Sequence, residues 1–533
     1  MSLSLVDLIT FGGFLAVVVG VSAYAGRREK TTEDYFLAGR SLGWWLIGMS
    51  LIASNISTEH FVGMAGSAFG RVGLAIASYE WMAAVTLVVV AWWLLPTFLR
   101  AGIYTMPEFL EHRYDARARA VMAFFIMVAY VVVALATVLY SGAIALGAIF
   151  DLPALFAERF GLEAAPAESW SLVASIWLIG VVAGAYTIYG GLKAVVWSDL
   201  IQGSALVLGG ALVLVLGFLA IGDGDWNRGV KSFFAANQEK LHTVLPWNDP
   251  DMPWLAVFVG GLWIPNLFYW GLNQFITQRT LGARSLAEGQ RGIFFAALLK
   301  LLIPFIIVFP GLMAHQLYGP EIERADGAYP FLVSRILPAH LRGIMLAALT
   351  GAVMSSFNSM LNSASTIFTM DLYARHRGRR ARPAELVRVG RWATAVFGVI
   401  ACLWAPMISG FEGVFTYIQM VWGFITPGIV AAFLFGLVVR KAPPSAAIGA
   451  MLLGIPVYAA LLWRLPQVAF LHHMAFTFLL QVGFMALISW KWPLSLPVVL
   501  PEPRRIDTTP MAGGRLCGWA IICATAALYW FFW

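Results

Sequence analysis

Runs of at least 18 apolar residues, bounded by charge, proline or glycine, recur along the whole chain. They fall at 5–25, 44–69, 73–97, 119–150, 169–189, 195–221, 253–277, 292–315, 343–370, 387–408, 413–438, 443–463, 470–490 and 515–533. A helix crosses the ~30 Å hydrocarbon layer with about 20 residues, so each run predicts one membrane crossing. The pattern predicts an all-α polytopic membrane protein of about fourteen transmembrane helices. Their even spread predicts one body in lipid, 1–533, and excludes a string of soluble domains.

Composition agrees with this reading. Of the 533 residues 60% are hydrophobic and 12% charged, about half the charge that covers a soluble domain. The net charge of +7 would suggest nucleic acid in a soluble protein. Here it sorts by topology. The first run is a retained helix and not a cleaved signal, because residues 1–4 carry no Lys or Arg while Arg27, Arg28 and Lys30 follow the run. With the N-terminus outside, 25 of the 35 basic residues fall in cytoplasmic gaps, nine fall outside, and Lys300 lies inside a span. The densest cluster, Arg375 to Arg391, is then an orientation signal. Both termini are predicted extracytoplasmic in a multi-pass protein of the plasma (inner) membrane, with lipid and not nucleic acid as its surroundings. Trp44, Trp45, Trp92, Trp93, Trp490 and Trp492 near the span ends fit interfacial belts.

Charges inside spans are costly and usually face a pathway. Glu80, Asp199 and Lys300 qualify, either as ion pairs between helices or as the lining of a solvated cavity. The run 44–69 holds Ala53-Ser54-Asn55-Ile56-Ser57-Thr58-Glu59-His60 at mid-membrane. Such a segment is a poor continuous helix, and breaking it frees backbone carbonyls as ligands for a cation or substrate. Small residues there could also form a helix packing seam. The run 343–370 packs Ser355, Ser356, Asn358, Ser359, Asn362, Ser363 and Ser365 into eleven positions. Hydroxyls in apolar helices often bond back to their own carbonyls, but seven polar residues exceed that habit. They suit a hard monovalent cation. The run 253–277 supplies Asn266, Tyr269, Trp270, Asn273 and Gln274 around Pro265 and Gly271. Aromatic faces stack on the C–H face of a sugar or a flat ligand, and amides bond its hydroxyls. Five helices separate the second run from the seventh, as expected of an inverted repeat with its site at the midplane.

Chemistry of other kinds finds no support. Cys402, Cys517 and Cys523 show no CxxC spacing, and there is no HExxH or GxSxG. This predicts no disulfide framework, no covalent cofactor, no catalytic residue and no enzyme. A channel is disfavoured by the dispersed amides and the broken helix.

The stretches EDYFLAGRSLGWW (33–45), SLIASNISTEHFVGMAGSAF (50–69), GLAIASYEW (73–81), YGGLKAVVWSDLIQ (189–202), NLFYWGLNQFITQRTL (266–281) and SSFNSMLNSASTIFTMDLY (355–373) closely resemble the sodium/solute symporter family. Within it they look most like the sodium/glucose cotransporters, and the resemblance covers nearly the whole chain. It implies a five-plus-five inverted-repeat core of the leucine-transporter type. The repeats would be 44–221 and 253–438, with an extra helix at 5–25 and three more in 443–533. It implies Na+ as coupling ion, held by carbonyls of Ala53, Ile56 and Ala352 and hydroxyls of Ser355 and Ser356. Asp199, with Ser359, resembles a residue of the sodium release path or of a second sodium site. The sugar pocket carries over as Asn55, His60, Glu80, Asn266, Lys300 and Gln419, with Tyr269 as inner gate beside Trp270. Met64, Tyr79 and Phe415 look like an outer gate. This chain departs at His60, where some bacterial relatives carry Gln, and at Ala83, where some carry Ser.

The resemblance therefore implies a symporter importing a hexose, glucose or galactose, by alternating access with one or two Na+ per sugar. The alternative is a sodium- or proton-coupled carrier of another small polar solute, because Glu80, His60 and Asp199 are titratable. The energetics suit sodium. One ion entering under 100 mV gains about 2.3 kcal/mol, and a tenfold gradient adds about 1.4 kcal/mol.

Overall fold

A computed structural model describes residues 5–27, 31–377, 382–410, 414–502 and 506–533. Six of the basic residues sorted above, Arg28, Lys30, Arg379, Arg380, Arg504 and Arg505, lie outside the described residues, as does the side chain of Phe415. Among the described residues there are helices, turns and three isolated bridges, such as Leu42 to Ala283.

Among the described residues, twelve helices are long and apolar enough to cross a membrane. The remaining two of the fourteen predicted crossings are interrupted, which is why length alone does not count them. In the first, the helix Trp44–Asn55 ends where Ile56 turns extended (φ −76°, ψ 105°), and a wide π-turn Glu59–Met64 leads into Ala65–Phe69. In the second, Val414–Trp422 and Thr426–Val438 are separated by a turn at 423–425. The run 253–277 is also broken. Its helical pieces stop at Leu272, Asn273 is extended (φ −81°, ψ 122°), and Gln274–Leu281 resumes.

Burial sorts the crossings into core and periphery. The apolar stretch of Leu341–Arg377 is 94% buried and that of Leu286–Glu321 72%, whereas Ile9–Gly26 is 17% buried and Gly514–Phe531 28%. The polar Ser355 helix is therefore the axis of the bundle, and the first and last helices face lipid. Predicted runs 169–189 and 195–221 meet at Gly191, whose positive φ (50°, ψ −151°) a side chain would disfavour. The second of these packs into the broken segment at Gly203, where a Cβ would stand 2.7 Å from that of Ala53. That closeness is the small-residue packing expected where helices associate in lipid. It brings Asp199, one turn earlier, against the helix end at Ala53.

The aromatic belt is mostly as predicted, with Trp93 and Trp490 well exposed. Trp92 differs. It turns inward, and its indole N–H donates to the Gly514 carbonyl at 3.2 Å on the last helix.

Candidate functional site

The interruption after Asn55 leaves carbonyls of the last helical turn without intrahelical donors. Hydroxyls of the Ser355 helix satisfy two of them. Ser355 Oγ donates to the Ala53 carbonyl at 3.1 Å, and Ser356 Oγ to the Ser54 carbonyl at 3.2 Å. Ala352, one turn before Ser356, and Ile56 are buried in the same wall. All five residues predicted for a cation thus lie at the junction of the broken helix and the axial helix, and all are at most 1% exposed. These are neutral oxygens, the donor type that suits a hard monovalent ion.

Asp199 lies beside that junction and is fully buried. It accepts from Ser355 Oγ (2.5 Å) on one oxygen, and from Ser50 Oγ (2.5 Å), Ser54 Oγ (3.1 Å) and Arg279 Nη2 (2.9 Å) on the other. Ser359 joins the group, accepting from Arg279 at 2.5 Å and lying 3.2 Å from Ser54 Oγ. Arg279 falls just after the run 253–277 and is one of the 25 basic residues counted to cytoplasmic gaps; its guanidinium is instead fully buried and pairs with Asp199 at 2.9 Å. An unpaired carboxylate in this interior would be very costly, so Arg279 is the partner Asp199 requires. The charge-sorting rule places a basic residue two positions beyond a span in solvent. The signal that could have found it was Asp199 itself, an intramembrane acid with no assigned counterion. Ser50 and Ser54 were likewise missed as ligands of that carboxylate. Arg119 is a second such case, buried against Asp371 at 2.7 Å and Glu111 at 2.7 Å.

On the other side of the break is a cavity. Along its polar wall five of the residues predicted for a sugar, Tyr269, Asn55, Lys300, Glu80 and His60, form one network. Lys300 Nζ donates to both Asn55 Oδ1 and Glu80 Oε2, and Asn55 Nδ2 donates to the Tyr269 hydroxyl at 3.0 Å. His60 Nε2 stands 3.5 Å from Glu80 Oε1. Lys300 also sits over the Trp270 ring, 4.9 Å from its centroid, a cation–π contact that helps hold the ammonium in place. Trp270 and Tyr269 pack edge to face at 5.1 Å. Asn266 lines the cavity with a buried amide N–H group that has no partner among the described residues. Met64 and Tyr79 line it too, and the Tyr79 hydroxyl is hydrogen-bonded to Gln419. Glu59, which sequence reasoning placed in the broken segment without a role, also faces the cavity. Ala83 is buried nearby but is not part of the lining.

The site therefore has two compartments that share one broken helix. One is a cluster of neutral oxygens closed by Ser355 and Ser356. The other is an amide- and carboxylate-lined cavity beside aromatic rings, with the Lys300 ammonium buried behind its wall against Asn55 and Glu80. Asn55 ends the helix between them.

Comparison with known proteins identifies the family and the fold. The family model described as the sodium:solute symporter family matches residues 35–454. The chain is 39% identical to a sodium/glucose cotransporter of Vibrio parahaemolyticus over 100% of this chain and 99% of that one. It is 36% identical to an uncharacterized symporter of Escherichia coli, over 98% and 90%. It is 33% identical to sodium/myo-inositol cotransporter 2 of Sus scrofa, over 83% and 67%. A solved structure of a Na+-coupled sialic acid symporter in a substrate-bound outward-open state shares the fold. Its TM-score is 0.79 at 22% identity, covering 93% of this chain and 99% of that one. The chain thus belongs to the sodium:solute symporter family, as a sodium-coupled solute symporter of leucine-transporter-type fold and not an enzyme.

Proposed function

We propose that this symporter imports a hexose, glucose or galactose, with Na+. The observation that carries this reading is the continuous network Tyr269–Asn55–Lys300–Glu80–His60 on the cavity wall. A neutral ring of hydroxyls both donates and accepts, and this wall offers amides and a carboxylate whose orientation the buried Lys300 ammonium fixes from behind. Trp270 and Tyr269 supply the apolar face. The cargoes in the names of the relatives, glucose and myo-inositol, are both neutral cyclic polyols, which supports the class. Asn266 and Gln419 complete the polar lining, and Met64 and Tyr79 form the outer gate.

Sodium binds at the carbonyls of Ala53, Ile56 and Ala352 with the hydroxyls of Ser355 and Ser356. The Ser355 proton stays hydrogen-bonded to Asp199, the Ser356 proton now bonded to the Ser54 carbonyl turns away, and both oxygens face the ion. Sodium thereby fixes the broken end of the helix that carries Asn55, so ion and sugar raise each other's affinity. Arg279 already supplies the positive charge at Asp199, which favours Asp199 and Ser359 as a release path and one Na+ per sugar. The core repeats are 44–221 and 253–438, flanked by 5–25 and 443–533, in the plasma membrane with both termini extracytoplasmic.

Sodium-dependent uptake of a sugar panel into proteoliposomes tests the reading, repeated with Ser356→Ala and Lys300→Ala. The expected result is sodium-driven hexose uptake, a loss of sodium affinity in the first variant and a loss of sugar affinity in the second. Uptake that followed pH and ignored sodium would select the proton-coupled alternative. Unchanged uptake in both variants would overturn the site assignment.

A further inference from the structure

The helix that presents Asp199 carries Gln202 one turn further on. Gln202 is fully buried, and neither its carbonyl oxygen nor its amide nitrogen has a hydrogen-bond partner among the described residues. An orphaned buried amide group costs roughly 1–3 kcal/mol, and lipid offers it no relief. A leucine would fill the same space without that cost. The position of the amide suggests its use. Its side chain packs on Gly351, whose added Cβ would lie 2.9 Å from Gln202 Cγ and 3.4 Å from its amide carbon. Gly351 immediately precedes Ala352. Gly203, the next residue, packs on Ala53, where a Cβ would lie 2.7 Å from the alanine's. The turn 202–203 therefore packs on both chain segments whose carbonyls form the proposed sodium site, Gln202 against Gly351 and Gly203 against Ala53. Asp199 does not engage the Gln202 amide, because both carboxylate oxygens are taken by Ser50, Ser54, Ser355 and Arg279.

The geometry points to Gln202 as a further oxygen ligand of the coupling cation, its Oε1 completing the shell directly or through one water. This rests on the sodium site proposed above and extends it to a third helix. A neutral amide supplies an oxygen without adding charge beside Asp199. It also links the ion to the helix that is hinged at Gly191, so that sodium holds three elements together where the two-helix site holds two.

The test is the sodium concentration for half-maximal sugar uptake in proteoliposomes of the full chain, with uptake scaled to reconstituted protein. Gln202→Leu is expected to raise it roughly tenfold, the loss of one oxygen ligand to a charged group. Gln202→Glu, which keeps the oxygen, is expected to stay near or below the wild-type value, and it carries the test if the leucine variant does not fold. Ser356→Ala separates the two readings. If it raises the half-saturating sodium while Gln202→Leu remains within twofold of wild type, the sodium site stands and the role of Gln202 falls. If Ser356→Ala has no effect either, the site itself falls and this inference with it. Equal weakening by Leu and Glu would make Gln202 a packing residue and also overturn the proposal.

Discussion

Arg279 donates from Nη2 to Asp199 Oδ2 across 2.9 Å, with both side chains at most 1% exposed. The pair joins the helical piece that follows the Asn273 break to the helix backing the other break, and Ser355 and Ser359 bond to the same two residues. The cation cluster and the helical piece Gln274–Leu281, which resumes beyond the break after Tyr269, are therefore held by one ion pair.

Removing one partner of a buried pair leaves an uncompensated charge and typically costs about 3–5 kcal/mol. Arg279→Gln is expected to lower the melting temperature of the purified protein sharply, and the double variant with Asp199→Asn to recover part of the loss. Added sodium should stabilise the single variant more than the wild type, because a free carboxylate then accepts the ion. Melting curves with and without sodium check both statements, and a single variant that melts like wild type in either condition contradicts them.

Lys300 and Glu80 present the same physics in the other compartment, with side chains at most 4% exposed. Each of Lys300→Met and Glu80→Gln is expected to abolish measurable sugar uptake. The double variant should regain stability without regaining uptake, since the charges that match the hydroxyls are gone. A double-mutant cycle on thermal stability together with uptake separates folding from binding.

How much of this was readable beforehand depended on what hydropathy encodes. The broken helix announced itself because the segment Ser54 to His60 is largely polar where its flanks are apolar, whereas the Asn273 break did not, and 253–277 reads as one crossing. The residues of the sugar network were named individually. Their pairing was not, since Lys300 reaches a carboxylate 220 positions away and no local pattern records that distance. Arg279 was misplaced because the charge rule that orients the chain treats every basic residue near a span end as solvated. The π-turns at Val90–Leu94, Ala129–Ala134 and Phe368–Tyr373 left no trace at all. One extra residue per turn shifts register without changing composition.

Outside the membrane spans, Arg71 follows the first interrupted segment and clamps Asp249, with Nη1 at 2.6 Å from Oδ2. Burial pushes the Asp249 carboxyl up, but Arg71 and the backbone N–H groups of Met252 and Asp251 outweigh it and hold the group below the usual carboxylate range. A carboxyl whose folded pKa is depressed stabilises fully above its unfolded value and loses that contribution as pH falls through the folded one. The melting temperature owed to this clamp should therefore be flat from neutral pH down to about 5 and fall only below about 4. Asp249→Asn is expected to lower stability at neutral pH and to remove this acid-side decline. A variant whose acid profile matches wild type would show that the clamp does not contribute.

The last prediction concerns the gate. Asn55 donates to the Tyr269 hydroxyl at 3.0 Å, and the same Asn55 accepts from Lys300. The Tyr269 ring also packs edge to face on Phe275 at 5.4 Å, beyond the Asn273 break. Tyr269→Phe deletes the hydrogen bond and keeps the ring, so its effect on sugar affinity should be about 1 kcal/mol, close to fivefold. Tyr269→Ala also removes the aromatic face and opens the cavity towards Phe275, so a far larger loss is expected. The ratio of the two, measured as the sugar concentration for half-maximal uptake at saturating sodium, apportions recognition between hydroxyl and ring. If Phe lost as much as Ala, the hydroxyl would be the main determinant and ring stacking would contribute little.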